Sequence, residues 1–201
     1  MMRLGGRCVA GHGYSIFDSA IGRCGIAWSD AGIVGVQLPE AREIETRKRL
    51  FRLYPDAREQ RPPGDVEIAI EGIVALLRGE SADLSDVALD MNGVAAFNAR
   101  VYAFVRGIPR GETITYGEVA AKLRLSGAVH AVAQALARNP FVVIVPCHRV
   151  LEAGFYADRI SPYGGVISKR RLLSIEGARG TTASKTLFDV LLPVAPPRPQ
   201  G

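Results

Sequence analysis

Three short apolar segments open the chain, Tyr14 to Asp18, Arg23 to Ser29 and Ile33 to Leu38, separated by Ser19-Ala20-Ile21-Gly22 and Asp30-Ala31-Gly32. Runs of this length bounded by turn residues predict a meander of antiparallel strands. The period then lengthens. Charged and apolar residues mix at helical spacing from Glu40 to Leu53, stopped by Pro55, and again from Asp65 to Arg78, with Gly79 beyond. Arg61-Pro62-Pro63-Gly64 is the loop between them, and a further strand is predicted over Val87 to Met91. The turn pair Asn92-Gly93 marks an expected boundary between a small α/β domain, residues 1–92, and a second domain, residues 93–180. Residues 181–201 form a tail.

The second half reads as mostly helical. Phe97, Val101, Phe104, Val105 and Ile108 lie on one face of a helix that Pro109-Arg110-Gly111 ends. Thr115 and Glu118 have the spacing of a capping box, in which each side chain satisfies a free backbone donor at the other, and open a helix to about Leu123. After the turn Leu125-Ser126-Gly127, a helix from about Ala128 to Arg138 is expected to bury Val129, Val132, Ala133 and Leu136. Two short helices joined by a tight turn suggest a helix-turn-helix. On its outer side, projection at helical spacing places Ala131 and Ala135 beside Gln134 and Arg138, small side chains where base-reading groups usually stand.

Composition changes this picture little. The chain is 48% hydrophobic and 22% charged, as in ordinary globular proteins. No leader-like segment or run of membrane-spanning length is apparent, so a soluble, cytoplasmic protein is expected. Cys8, Cys24 and Cys147 are too few for a disulfide framework, and Cys8, His12 and Cys24 lack a fourth ligand for zinc. Neither metal nor cofactor is expected. Charge is more telling: Phe97 to Gly180 holds 12 Lys and Arg against 5 Asp and Glu, whereas the rest holds 13 against 15. A basic half is a plausible footprint for a polyanion such as nucleic acid.

The candidate chemistry lies at Pro146-Cys147-His148-Arg149-Val150, which follows the apolar run Phe141-Val142-Val143-Ile144-Val145. The run reads as a buried strand that ends by presenting a thiol beside an imidazole. Sulfur is a strong nucleophile as thiolate, and a neighbouring His or Arg favours that form by taking the proton or facing the charge.

Ile114-Thr115-Tyr116-Gly117-Glu118-Val119-Ala120, Arg138-Asn139-Pro140, Val145 to Val150 and Leu172-Leu173-Ser174-Ile175-Glu176-Gly177 stand in one order. In these motifs the chain resembles the O6-alkylguanine-DNA alkyltransferases, also called methylated-DNA–protein-cysteine methyltransferases. The resemblance spans roughly Tyr14 to Ala178 and is dense after Phe97. It implies a ribonuclease H-like N-terminal α/β domain with an antiparallel sheet, followed by a winged-helix-like helix-turn-helix domain. It also implies direct-reversal DNA repair: a single-turnover transfer of an alkyl group from guanine O6 to the protein's own cysteine, with O4-alkylthymine a further candidate lesion. The base must first be flipped from the stack.

The resemblance assigns catalytic roles to Cys147 as nucleophile, His148 as its base through a water, Glu176 as the acid orienting the imidazole, and Asn139 as the tie between recognition helix and active-site turn. Tyr116, Val150, Tyr163, Gly164, Gly165 and Lys169 would contact the flipped base. Thr115, Tyr116, His130, Ala131, Gln134, Ala135 and Arg138 would contact double-stranded DNA, bound by a monomer through the minor groove. The chain departs from the family pattern in four places: His130 replaces an arginine that fills the gap left by the flipped base, Ala133 replaces a glycine, Tyr163 replaces a small residue on the pocket rim, and the stretch Glu152 to Ser161 is about two residues longer than in many relatives. A second reading therefore stands beside the first, a protein that binds alkylguanine lesions with weak or no transfer because the family arginine is His130.

Overall fold

The first strands turn back on themselves at glycine. In a computed structural model, which describes residues 13–125, 127–152 and 165–178, β1 (Gly13–Ser19), β2 (Gly22–Ser29) and β3 (Gly32–Gln37) form an antiparallel meander. Gly22 and Gly32 begin the returning strands at φ +122° and +128°, a region that side chains with Cβ disfavour. At Gly32 a Cβ would also lie 2.5 Å from the Ala88 carbonyl oxygen.

Helix α1 (Glu43–Leu53) leads to a two-residue strand, β4 (Arg58–Glu59), which pairs parallel to β1 and completes the sheet order β3-β2-β1-β4. Helix α2 (Gly64–Leu77) follows. The sheet is covered on both faces. Ala27 and Val34 pack with Leu50, Tyr54 and Ala57, while Ile26, Trp28 and Ile33 join the α2 residues Val66, Ala69, Ile73 and Leu77. Two-sided burial explains why β2 is continuously buried from Cys24 to Trp28 instead of alternating.

The strand expected over Val87 to Met91 shrinks to one bridge between Leu89 and Ile33. Asp90 stops it. Its carboxylate accepts from the Ser29 hydroxyl at 2.6 Å and from the Asn92 N–H at 2.8 Å, so the chain turns away after one rung.

Beyond this turn come α3 (Ala96–Arg106), β5 (Ile114–Thr115), α4 (Tyr116–Lys122), α5 (Val129–Ala137), β6 (Val150–Leu151) and α6 (Gly165–Glu176). The capping box forms as expected. Thr115 Oγ1 accepts from the Glu118 N–H at 3.2 Å, and the Glu118 carboxylate accepts from the Thr115 N–H at 2.7 Å. Helices α4 and α5 pack together as the expected helix-turn-helix.

Helix α5 is rotated from its expected placement. Its buried face is Val132, Ala133, Ala135 and Leu136, whereas Val129 is 46% exposed in the first turn. The Tyr102 hydroxyl of α3 donates to the Ala135 carbonyl at 2.9 Å, which draws that side of α5 into the core.

The run Phe141 to Val145 is a turn and not a strand. The Val145 N–H reaches back to the Phe141 carbonyl at 2.7 Å, and Val143 adopts φ +76°, a strained conformation for a β-branched residue. All five residues are at most 5% exposed. Their apolar character reflects burial of a turn, which periodicity cannot distinguish from a short buried strand. Phe141 bridges Val36 of β3, and the Val36 N–H donates to the Pro140 carbonyl at 2.8 Å. The edge of the first sheet thus fixes the loop that leads to Cys147. One core cluster runs from Cys24 and Ile26 through α2, α3 and this turn to Leu172 of α6.

Candidate active site and nucleic-acid interface

Asn139, fully buried, closes the turn on which Cys147 sits. Its Nδ2 donates to the Val145 carbonyl at 2.9 Å, and its Oδ1 accepts from the Phe141 N–H at 3.0 Å. One carboxamide thereby satisfies both ends of a loop that would otherwise bury unpaired backbone groups. Cys147 begins a single 3-10 turn, Cys147–Arg149, and is partly exposed. Burial raises the pKa of its thiol, partly countered by the Asn139 side chain and by the charge of Lys169. The resting sulfur is therefore protonated near neutral pH and needs a base.

A candidate base is adjacent. The His148 side chain is 3% exposed, with Nε2 lying 2.8 Å from Glu176 Oε1. Burial raises the pKa of Glu176, but hydrogen bonds from His148 and Arg149 outweigh it and bring the carboxyl down to about 2. An ionised carboxylate only accepts hydrogen bonds, so Nε2 carries the proton and Nδ1 keeps its lone pair. Nδ1 is buried and has no hydrogen-bond partner among the described residues. Burial also lowers the pKa of His148, with Glu176 opposing. A neutral imidazole with one free basic nitrogen is what proton abstraction requires.

Arg149 does not face the sulfur. Its Nε and Nη2 grip the Glu176 carboxylate at 2.9 and 2.7 Å, and Nη1 donates to the Ile108 carbonyl at 2.5 Å. The guanidinium is the counter-charge that makes burial of Glu176 tolerable. Its role beside the acid was missed because Glu176 is 27 residues away in sequence; a buried acid facing a neutral imidazole is the signal that calls for a second cation.

On the other side of Cys147, β5 pairs parallel to β6, Ile114 to Val150 and Thr115 to Leu151. The pairing brings Tyr116, at the start of α4, beside Val150. Lys169 of α6, only 6% exposed, donates from Nζ to the Val150 carbonyl at 2.6 Å and stands 3.5 Å from the Tyr116 hydroxyl. Tyr116, Val150 and Lys169 are thus brought together. Gly165 begins α6; Tyr163 and Gly164 lie outside the described residues, as do Cys8 and His12.

His130, Ala131 and Gln134 on α5 and Arg138 at its C-terminal cap are all exposed, and Thr115 is partly exposed at the N-terminal cap of α4. The Gln134 amide and His130 Nε2 are 2.8 Å apart, so the imidazole is held against its own helix. Ala135 departs from its expected place: it is 2% exposed and belongs to the core, so it offers nothing to a ligand on the outer face. Among the described residues no group of three or more His, Cys, Asp or Glu is arranged to hold a metal ion.

Residues 96–178 match the family model described as 6-O-methylguanine DNA methyltransferase, DNA binding domain. Together with the mixed α/β fold, this match defines the class: a DNA-binding methyltransferase. The methylated-DNA–protein-cysteine methyltransferase of Methanothermobacter thermautotrophicus is 35% identical over 153 residues, covering 76% of this chain and 78% of the relative. The crystal structure of Mycobacterium tuberculosis O6-methylguanine methyltransferase superposes with a TM-score of 0.65 at 34% identity, covering 88% of this chain and 99% of the other. A crystal structure of the M. tuberculosis protein in complex with DNA gives a TM-score of 0.60 at 31% identity, over 81% of this chain and 91% of that one. This chain belongs to the methylated-DNA–protein-cysteine methyltransferases, the direct-reversal enzymes of alkylation repair.

Proposed function

We propose that this protein restores O6-alkylguanine in double-stranded DNA by moving the alkyl group to Cys147, once per molecule. The observation that carries this reading is the His148 imidazole, tied at Nε2 to a buried carboxylate and without a partner at Nδ1 among the described residues, in the residue after a partly exposed cysteine. Nδ1 takes the thiol proton, through a water in the relay that the resemblance implies. Sulfur then attacks the alkyl carbon, the carbon–O6 bond breaks, and the electron pair passes to the guanine, which takes up a proton as it leaves. Tyr116 and Lys169 supply an O–H and an N–H beside the place of the departing base, where negative charge grows. The imidazolium is stabilised by Glu176, whose own charge Arg149 holds in place.

Extruding a base costs a few kcal/mol, and contacts from the helix-turn-helix must offset this. Thr115, Tyr116, His130, Ala131, Gln134 and Arg138 form the proposed DNA face, with His130 in the gap left by the flipped nucleotide. The protein acts as a cytoplasmic monomer without cofactor. Residues 1–92 brace the loop to Cys147 from the β3 edge, and residues 93–180 carry DNA binding and chemistry. The reading without transfer is not favoured, because the thiol and its base both stand in this chain and the relatives are methyltransferases by name.

Intact-protein mass spectrometry after incubation with a duplex carrying O6-methylguanine tests the proposal. One added methylene that maps to Cys147 is the expected result. C147S should gain none while still binding the duplex, since backbone contacts from the helices and not the thiol hold the phosphates. Transfer retained in C147S and mapped to Cys8 or Cys24 would remove Cys147 as the nucleophile.

A further inference from the structure

Behind the turn that carries Cys147 lies a cavity of about 520 Å³, between the loop that follows α2 and the C-terminal end of α3. Its volume is within the range of small-molecule sites. Leu76, Leu84, Ile108 and Val143 give it apolar walls, and Arg106 and Arg110 line it as well. Tyr116, Cys147 and Lys169 do not, so it is separate from the alkyl-transfer pocket.

Both guanidiniums are held by carbonyl groups. Arg106 Nη2 donates to the Leu84 and Val87 carbonyls, and Arg110 Nη2 donates to those of Gly79 at 2.5 Å and Ile175 at 3.2 Å. Among the described residues neither arginine makes an ion pair with a carboxylate. The Nε of each is buried without a partner there. Burial pushes Arg106 below its usual pKa, with Asp86 and Asp83 opposing from a distance. Asp83, which also lines the cavity, already accepts from the Ser85 N–H at 2.8 Å. Arg106 is partly desolvated, and with Arg110 on the same wall the cavity is lined by two guanidiniums that make no ion pair among the described residues, an arrangement that favours an anion.

We propose that this cavity binds a small organic anion whose carboxylate or phosphate is met by Arg106 and Arg110 and whose apolar body lies against Leu84, Ile108 and Val143. The cavity adjoins the catalytic residues. Arg149 and Pro146 share the cavity wall, and Arg110 holds the carbonyl of Ile175, the residue before Glu176.

Fluorescence titration with anilinonaphthalene sulfonate, an anion with an apolar body, reads the site directly. Saturable one-to-one binding is expected, weakened about tenfold in R110Q and in S81W. R110Q removes the charge and leaves a neutral amide side chain at this position. S81W fills the mouth with a bulky ring at an exposed serine of the lining. If R110Q does not fold, as its melting curve would show, S81W decides alone. Absence of saturable binding to the wild-type protein, or unchanged affinity in either folded variant, overturns the proposal.

Discussion

At the scale of single residues, the site depends on one buried charge held from two sides. Glu176 has its pKa lowered from 4.5 to about 2 in the folded protein. Its contribution to stability, about 3 kcal/mol from the shift, is complete above pH 4.5 and disappears as pH falls toward 2. His148 acts in the same direction at higher pH. Its folded-state pKa is lowered, so the unfolded imidazole, which titrates near pH 6.5, takes up protons first and stability begins to decline below that point. Thermal unfolding followed against pH should show a plateau from about pH 7 to 8, a steady fall below it, and a second fall at higher pH, where the unfolded thiols ionise before the buried Cys24 and Cys147. E176Q should slow single-turnover transfer by about ten- to a hundredfold, because the imidazolium loses its counter-charge. It should also flatten the part of the stability profile below pH 4.5 while leaving duplex affinity nearly unchanged. An unchanged transfer rate would take Glu176 out of the mechanism.

At the scale of the element, α5 separates two alanines that look alike in the sequence. Ala135 is buried beside the carbonyl contact from Tyr102, and Ala131 is exposed four residues earlier. A135L should lose about 1–3 kcal/mol of stability through overpacking, whereas A131L should stay within about 0.5 kcal/mol and still weaken duplex binding by obstructing the helix face. Chemical denaturation and fluorescence anisotropy with a labelled duplex separate the two effects. His130, on the exposed first turn, gives a sharper contrast. An imidazole is shorter than a guanidinium and has fewer donors for the orphaned partner base. H130R should therefore speed repair of alkylated duplex much more than reaction with free O6-benzylguanine, which needs no extrusion. Equal acceleration of both reactions would show that His130 does not act on flipping.

At the scale of the whole molecule, the two halves are joined by one core and by backbone bonds across it. The cluster containing Ile26, Trp28 and Ile33 is continuous with Val101, Phe141 and Leu172, and Val36 of β3 bonds to Pro140 on the approach to Cys147. Unfolding should therefore be a single cooperative transition. Trp28, the sole tryptophan in the sequence and 4% exposed in the sheet, reports on the first half, while far-UV circular dichroism is dominated by helices that lie largely in the second. The two midpoints in urea should coincide. Separate transitions would mean that the sheet does not stabilise the active-site turn, and that residues 93–180 fold without it.

The sequence by itself determined whatever depends on neighbours along the chain. The meander was legible because turn residues flank three short apolar runs, the start of α4 because Thr115 and Glu118 form a local capping box, and the family because its motifs lie in one order. Tertiary structure decided what depends on residues far apart. Phe141 to Val145 is apolar whether it forms a strand or a turn, and only the Asn139 carboxamide and the β3 edge made it a turn with Val143 at positive φ. Helical spacing placed Ala135 outward; Tyr102, 33 residues away, drew it in. Arg149 was visible beside the thiol, yet its charge belongs to Glu176, because a carboxylate can be buried only against a cation and the fold brings that cation from across the sequence.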